Sequence, residues 1–238
     1  MTQRNALVVS AHSADFVWRA GGAIALYAER GWHIHVLCLS FGERGESAKL
    51  WKQPGMILGQ VKAARRSEAE QAAEILGATI SFMDCGDYPL RVSDERLLDI
   101  TAQYRRLQPE FVLTHSFQDP YNFDHPLANR LAMEARVIAQ AHGHLPGEQV
   151  LAAPPVYLFE PHQPEQCEWK PQLFLDISSV WDKKYRAFQT MQAQEHLWEY
   201  YTRTGLQRGA QAARNSGRKI KYAEAYQCVY PRVTDDFL

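Results

Sequence analysis

The chain is predicted to be an α/β protein: a mostly parallel sheet with helices on both faces, followed by a helical C-terminal region. Three observations predict this. Short apolar runs rich in Val, Ile and Leu recur along the chain, longer helical patterns separate them, and the last quarter is mostly helical. With 238 residues, 46% of them hydrophobic and 22% charged, residues 1–238 fit one domain.

The elements follow in order. Strands are expected at Ala6–Ser10, His33–Leu39, Thr79–Met83, Glu110–Thr114, Val156–Phe159 and Leu173–Ile177. Helices are expected at Gly21–Arg30, Val61–Leu76, Asp94–Leu107 and Pro126–Ala141. Gly143–Pro155 reads as a loop, because it holds Gly and Pro and few periodic apolar positions. From Ser178 to about Gly209 the pattern is mostly helical. Arg214, Arg218, Lys219 and Lys221 then form a basic stretch that reads as a solvated face.

Lys+Arg is 26 and Asp+Glu is 27, a formal net charge of −1. That balance excludes a disordered chain and a general nucleic-acid surface. No window approaches the ~18 apolar residues of a membrane span, and the apolar run near Met1 is too short for a signal peptide. Cys38, Cys85, Cys167 and Cys228 are far apart, with no C-x-x-C, so four reduced thiols and a cytoplasmic location are expected. Neither nucleic acid nor membrane is expected as a partner. A homo-oligomer of unspecified size is.

Sheets of this kind bind ligands beyond the carboxyl ends of their strands. Polar clusters stand at those positions. The first is His12-Ser13-Ala14-Asp15, followed by Gly21-Gly22. The second is Ser40-Phe41-Gly42-Glu43-Arg44-Gly45-Glu46-Ser47, whose glycines permit a tight turn and whose acids are candidate proton carriers. The third is Asp84-Cys85-Gly86-Asp87-Tyr88-Pro89-Leu90-Arg91. Thr114-His115-Ser116 and Asp119–His125 follow the fourth strand, and Glu160-Pro161-His162 the fifth. Two His and one carboxylate make a common catalytic zinc set, which His12, Asp15 and His125 can supply. Asp124, beside His125, is placed to fix an imidazole and counts among the catalytic candidates.

The order of these motifs resembles the PIG-L (LmbE-like) family of zinc-dependent N-acetylglucosaminyl deacetylases. Its A-H-P-D-D-E pattern stands here as Ala11-His12-Ser13-Ala14-Asp15-Phe16, its R-x-x-E helix as Arg65 and Glu68, its H-x-D-H as Asn122-Phe123-Asp124-His125, and its Y-A-E-A-aromatic as Tyr222–Tyr226. The resemblance implies a Rossmann-like fold and zinc, or another divalent ion such as iron or manganese, on His12, Asp15 and His125. It also shows two departures. Ala14 replaces the family's general base, and Asn122 replaces the His that assists the tetrahedral intermediate.

Ser10–Gly22, Gly42–Lys52 and Tyr157–Cys167 are similar to a hydratase branch of the family. That likeness implies addition of water to 4-oxalomesaconate (as its enol, 4-carboxy-2-hydroxymuconate), a small tricarboxylate of gallate and protocatechuate breakdown. Zinc would then polarise the keto or enol oxygen. Glu46, ahead of Glu43, would activate water, and Asn122 would donate a hydrogen bond. Arg19, Arg44, Lys49, Arg65 and Arg91 would bind carboxylates, with His162 as a further donor. The alternatives are a zinc-dependent deacetylase of a small N-acetylated, sugar-like substrate, with Glu46 in place of the missing base, and a non-catalytic metal-binding relative.

Overall fold

The computed structural model describes residues 3–233. Its sheet has seven strands: β1 (Asn5–Ser10), β2 (His33–Cys38), β3 (Thr79–Phe82), β4 (Phe111–Thr114), β5 (Val156–Phe159), β6 (Leu173–Asp176) and β7 (Ala223–Cys228). The order across the sheet is β3-β2-β1-β4-β5-β7-β6. The first five strands pair in parallel; β7 is antiparallel to both β5 and β6. The helices are α1 (Asp15–Glu29), α2 (Ala48–Trp51), α3 (Leu58–Leu76), α4 (Asp94–Leu107), α5 (Asp124–Ala139), α6 (Trp181–Thr190) and α7 (Trp198–Ser216).

The sheet buries both faces. In β1, Ala6 and Val8 join a core with Phe16, Leu76 and Phe188, while Leu7 and Val9 join the opposite core with Ile100, Tyr104 and Leu131. Side chains alternate across a strand, so burial on both faces requires the unbroken apolar run that marks β1 in the sequence. The chain runs from β1 outward to β2 and β3, then crosses back to β4 on the other side of β1. The carboxyl ends of β1 and β4 therefore flank the point where the winding reverses, which is where such sheets form a ligand crevice.

Three expectations are corrected. Helix α1 begins at Asp15, not Gly21, so Gly21 and Gly22 lie inside it. A Cβ on Gly22 would come within 2.7 Å of Ile177 and 2.9 Å of the Glu224 carboxylate, so close packing explains the glycine. Residues 223–228 form a strand that the sequence reading missed. Its Glu224 points inward and breaks the apolar alternation that announces a strand. Helix α7 continues past Gly209 to Ser216 and stops at Gly217, whose φ of +69° suits glycine. Arg214, Arg218, Lys219 and Lys221 are exposed. The four cysteines are unpaired, and among the described residues no helix is long and apolar enough to cross a membrane.

Candidate active site

His12 follows β1, Asp15 opens α1, Glu46 lies in the loop after β2, and His125 stands in the first turn of α5. One donor atom from each lies within 4.8 Å of the others. His12 Nδ1 is 3.1 Å from Asp15 Oδ2 and 3.1 Å from Glu46 Oε1. His125 Nε2 is 3.3 Å from Asp15 Oδ1 and 4.0 Å from Glu46 Oε1.

The other nitrogen of each imidazole meets a carboxylate. His12 Nε2 is 3.2 Å from Asp124 Oδ2, and His125 Nδ1 is 2.8 Å from Asp119 Oδ2. Metal-binding histidines are held in this way, the outer partner fixing both ring orientation and tautomer. His125 Nε2 is buried without a hydrogen-bond partner. Such a group costs about 1–3 kcal/mol when left unpaired. The donor set therefore fits a divalent ion held by His12, Asp15 and His125, with Glu46 in reach.

The electrostatics agree. Burial alone would lower the His12 pKa, yet Glu46, Asp124 and Asp15 together raise it well above its ordinary value. Burial would raise Asp15, but His125, His115 and His12 bring it well below the carboxylate range. The cluster is built to take positive charge. His115 packs behind it, with its ring stacked on His125 at 4.3 Å and its Nε2 accepting the Ala11 N–H. Burial, then His125, lowers its pKa and keeps it neutral.

One segment braces the acidic wall twice. The Asp87 carboxylate accepts the N–H groups of Arg44 and Gly45, at 2.8–3.0 Å, and so holds the loop that carries Glu46. Next in sequence, the N–H groups of Tyr88 and Leu90 donate to Asp124, which orients His12. Gly45 is required because the Tyr88 ring occupies the space of a Cβ.

Asp15, Glu46, Asn122 and His125 open onto a cavity of about 190 Å³. The same cavity is also lined by Trp18, Arg19, His162, Gln194 and Tyr201. Arg19 Nη1 donates to the Glu160 carbonyl at 2.9 Å, and its Nε lies 3.4 Å from Asp15 Oδ1. The Trp18 ring stacks on Tyr201, and His162 stacks on Tyr200. Asn122 Nδ2 donates to Glu46 Oε1 at 3.4 Å.

Of the residues expected from sequence, His12, Asp15, His125, Glu46, Asn122, Arg19 and His162 come together here. The others do not. Asp124 does not line the cavity but does fix an imidazole, that of His12. Glu43 is buried and points to Lys62, 3.6 Å away. Arg65 is fully buried, held by Glu68, Gln194 and the Phe41 carbonyl. Lys49 is exposed and pairs with Glu195, while Arg44 and Arg91 are exposed outside the cavity. Asp119, Tyr88, Tyr121, Gln194 and Tyr201 were not anticipated. Asp119 and Tyr121 lay in the same polar run as His125 and Tyr88 in the cluster after the third strand, whereas Gln194 and Tyr201 left no trace.

The pattern that defines PIG-L, GlcNAc-PI de-N-acetylase, matches residues 7–136. The chain is 66% identical to the 4-oxalmesaconate hydratase of Pseudomonas putida, over 98% of this chain and 92% of that one. It is 29% identical to the diacetylchitobiose deacetylase of Thermococcus kodakarensis, over 84% of this chain and 76% of the relative. The crystal structure of GalB, the 4-carboxy-2-hydroxymuconate hydratase of Pseudomonas putida, superposes with a TM-score of 0.97 at 65% identity and covers 99% of this chain and 100% of that one. The N,N'-diacetylchitobiose deacetylase of Pyrococcus horikoshii, at 22% identity and a TM-score of 0.79 over 95% of this chain and 84% of that one, shares the fold. With the motif order, the His–Asp–His donor set and these likenesses in agreement, the chain belongs to the PIG-L family.

Proposed function

We propose that this chain is a zinc-dependent hydratase that adds water to 4-oxalomesaconate, giving 4-carboxy-4-hydroxy-2-oxoadipate. The observation that carries the reading is the near-full-length likeness, at 66% identity, to a hydratase of that substrate. The site supports it. Ala14, buried in the place of the deacetylases' base, has no group that can accept a proton. Asn122 cannot titrate.

A divalent ion on His12, Asp15 and His125 would act as a Lewis acid toward the substrate's keto or enol oxygen. The remaining work falls to the chain. Glu46 takes a proton from water as the water oxygen bonds to the alkene carbon that bears a carboxylate, and a proton is returned to the neighbouring carbon. Asn122 holds the Glu46 carboxylate through its Nδ2. Arg19 binds a substrate carboxylate, and His162 and Tyr201 offer hydrogen bonds from the same side.

An ultraviolet assay of the conjugated enol, run with and without chelator, tests both parts. Absorbance should fall with enzyme, stop falling after chelation and recover with zinc. No consumption of this substrate overturns the hydratase reading, and turnover that survives complete removal of metal overturns the zinc dependence.

A further inference from the structure

Two sequence motifs take no part in the chemistry above: the glycine pair inside α1 and Tyr222–Tyr226 near the C-terminal end of the described chain. The structure joins them. The Glu224 carboxylate, buried, accepts the N–H of Gly22 through Oε1 at 2.7 Å and that of Ala23 through Oε2 at 2.8 Å. Lys184 Nζ donates to Oε1 at 2.6 Å, and the Tyr226 hydroxyl donates to Oε2 at 2.6 Å.

These amides belong to the middle of a helix, where N–H groups ordinarily donate to the carbonyls four residues back. For Gly22 and Ala23 those carbonyls belong to Trp18 and Arg19, the two α1 residues that face the substrate cavity beside Asp15. The carboxylate adds acceptors at this turn while α1 stays an unbroken helix from Asp15 to Glu29. Gly22 is what admits it, since a Cβ would meet Glu224 Oε1 at 2.9 Å. A narrow second cavity is lined by Trp18, Arg19 and Tyr201 together with Lys184 and Glu224, so the carboxylate and the cavity-facing turn of α1 border one space.

We infer that Glu224 is a positioning residue for substrate binding: by holding the amides of Gly22 and Ala23 it sets the turn of α1 that aims Arg19 into the cavity. The inference rests on the proposal that Arg19 binds a substrate carboxylate. Asp15 is fixed independently, through the His12 N–H at 2.9 Å and its contacts with His12 and His125. Glu224 therefore acts first on Arg19, and reaches Asp15 only through the 3.4 Å contact of Arg19 Nε with its Oδ1.

The test is a double-mutant cycle on the zinc-loaded enzyme with 4-oxalomesaconate as substrate. Glu224→Gln keeps the shape but cannot accept both amides. It should raise KM roughly tenfold, the scale of a hydrogen bond to a charged group, with kcat changed less than about twofold. Zinc affinity, read by competition with a chelating dye, should stay within about twofold. In an Arg19→Ala background the same substitution should add nothing to KM, because coupled residues are not additive. Gly22→Ala, which presses on the carboxylate from α1, and Tyr226→Phe, which removes one hydroxyl, probe the same grip if Glu224→Gln yields too little folded protein. Both should move KM in the same direction, Tyr226→Phe the less. An unchanged KM in the folded variants, additivity with Arg19→Ala, or a parallel loss of zinc affinity overturns the inference. An unchanged KM in Arg19→Ala itself overturns the underlying substrate-binding reading as well, which distinguishes the two failures.

Discussion

The cavity has two walls, and a histidine on each reports opposite surroundings. On the wall built from the loops after β1, β2 and β4, His12 is raised well above its ordinary pKa by Glu46, Asp124 and Asp15, against the effect of burial. On the wall formed by Arg19 and the C-terminal region, burial and then Arg19 lower the pKa of His162. One wall gathers carboxylates around imidazoles and calls for a cation. The other sets the Arg19 guanidinium, whose Nε edge meets Asp15 at 3.4 Å, among aromatic rings, and its charge favours an anion. A small molecule with a polarisable oxygen at one end and carboxylates at the other fits between them.

The largest expected effect breaks the first wall at its reacting group. Glu46→Gln keeps the volume and the hydrogen bond from Asn122 but removes the proton acceptor. The turnover number should fall by at least ~10²-fold, the range of general acid–base catalysis, while KM moves little. Stopped-flow assay of enol consumption measures it. Near-normal turnover would remove Glu46 from the chemistry and leave it as a metal neighbour only.

The walls also differ in how legible they were. The first is local in sequence. His12 and Asp15 sit three residues apart at a strand end, His125 follows β4 within one polar run, and strand ends at the winding reversal are where a sheet places its ligands. The second wall draws on residues far apart in the chain, and periodicity carries no information about which side chains will converge there. Arg65 illustrates the limit. As an Arg on a helix near a motif it reads as a carboxylate partner, yet it lies fully buried and holds Gln194, which itself lines the cavity. Arg44, Lys49 and Arg91 adjoin motifs but extend into solvent. Gln194 and Tyr201, which do face the cavity, lie in a helical segment with nothing to mark them. Strand β7 was hidden for a related reason, because its inward carboxylate serves α1 and not an apolar core.

A smaller effect is expected on the second wall. Arg19→Ala removes the guanidinium that lines the cavity, so KM for the tricarboxylate should rise roughly 10- to 100-fold, the scale of about 1.5–3 kcal/mol for a charge-assisted hydrogen bond. The turnover number should fall far less than in Glu46→Gln. Steady-state kinetics of the two variants side by side turn the contrast between walls into a contrast between KM and kcat. A fall in kcat alone for Arg19→Ala would mean that the wall acts on the reacting atoms and not on binding.

The smallest effect concerns His162 and needs no catalysis. Its pKa is lowered by burial first and by Arg19 second, with Asp119 acting in the opposite direction. Between the lowered value and the ordinary one near 6.5, the unfolded chain binds a proton that the folded chain does not. The stability linked to His162 is therefore fully present above the ordinary value and is lost as pH falls through the lowered one. Nuclear magnetic resonance of the ring carbon should find His162 titrating below a free histidine. In Arg19→Ala the titration should move upward, because the largest lowering cause after burial is gone. A downward move, or none, would show that the Arg19 charge does not reach this imidazole.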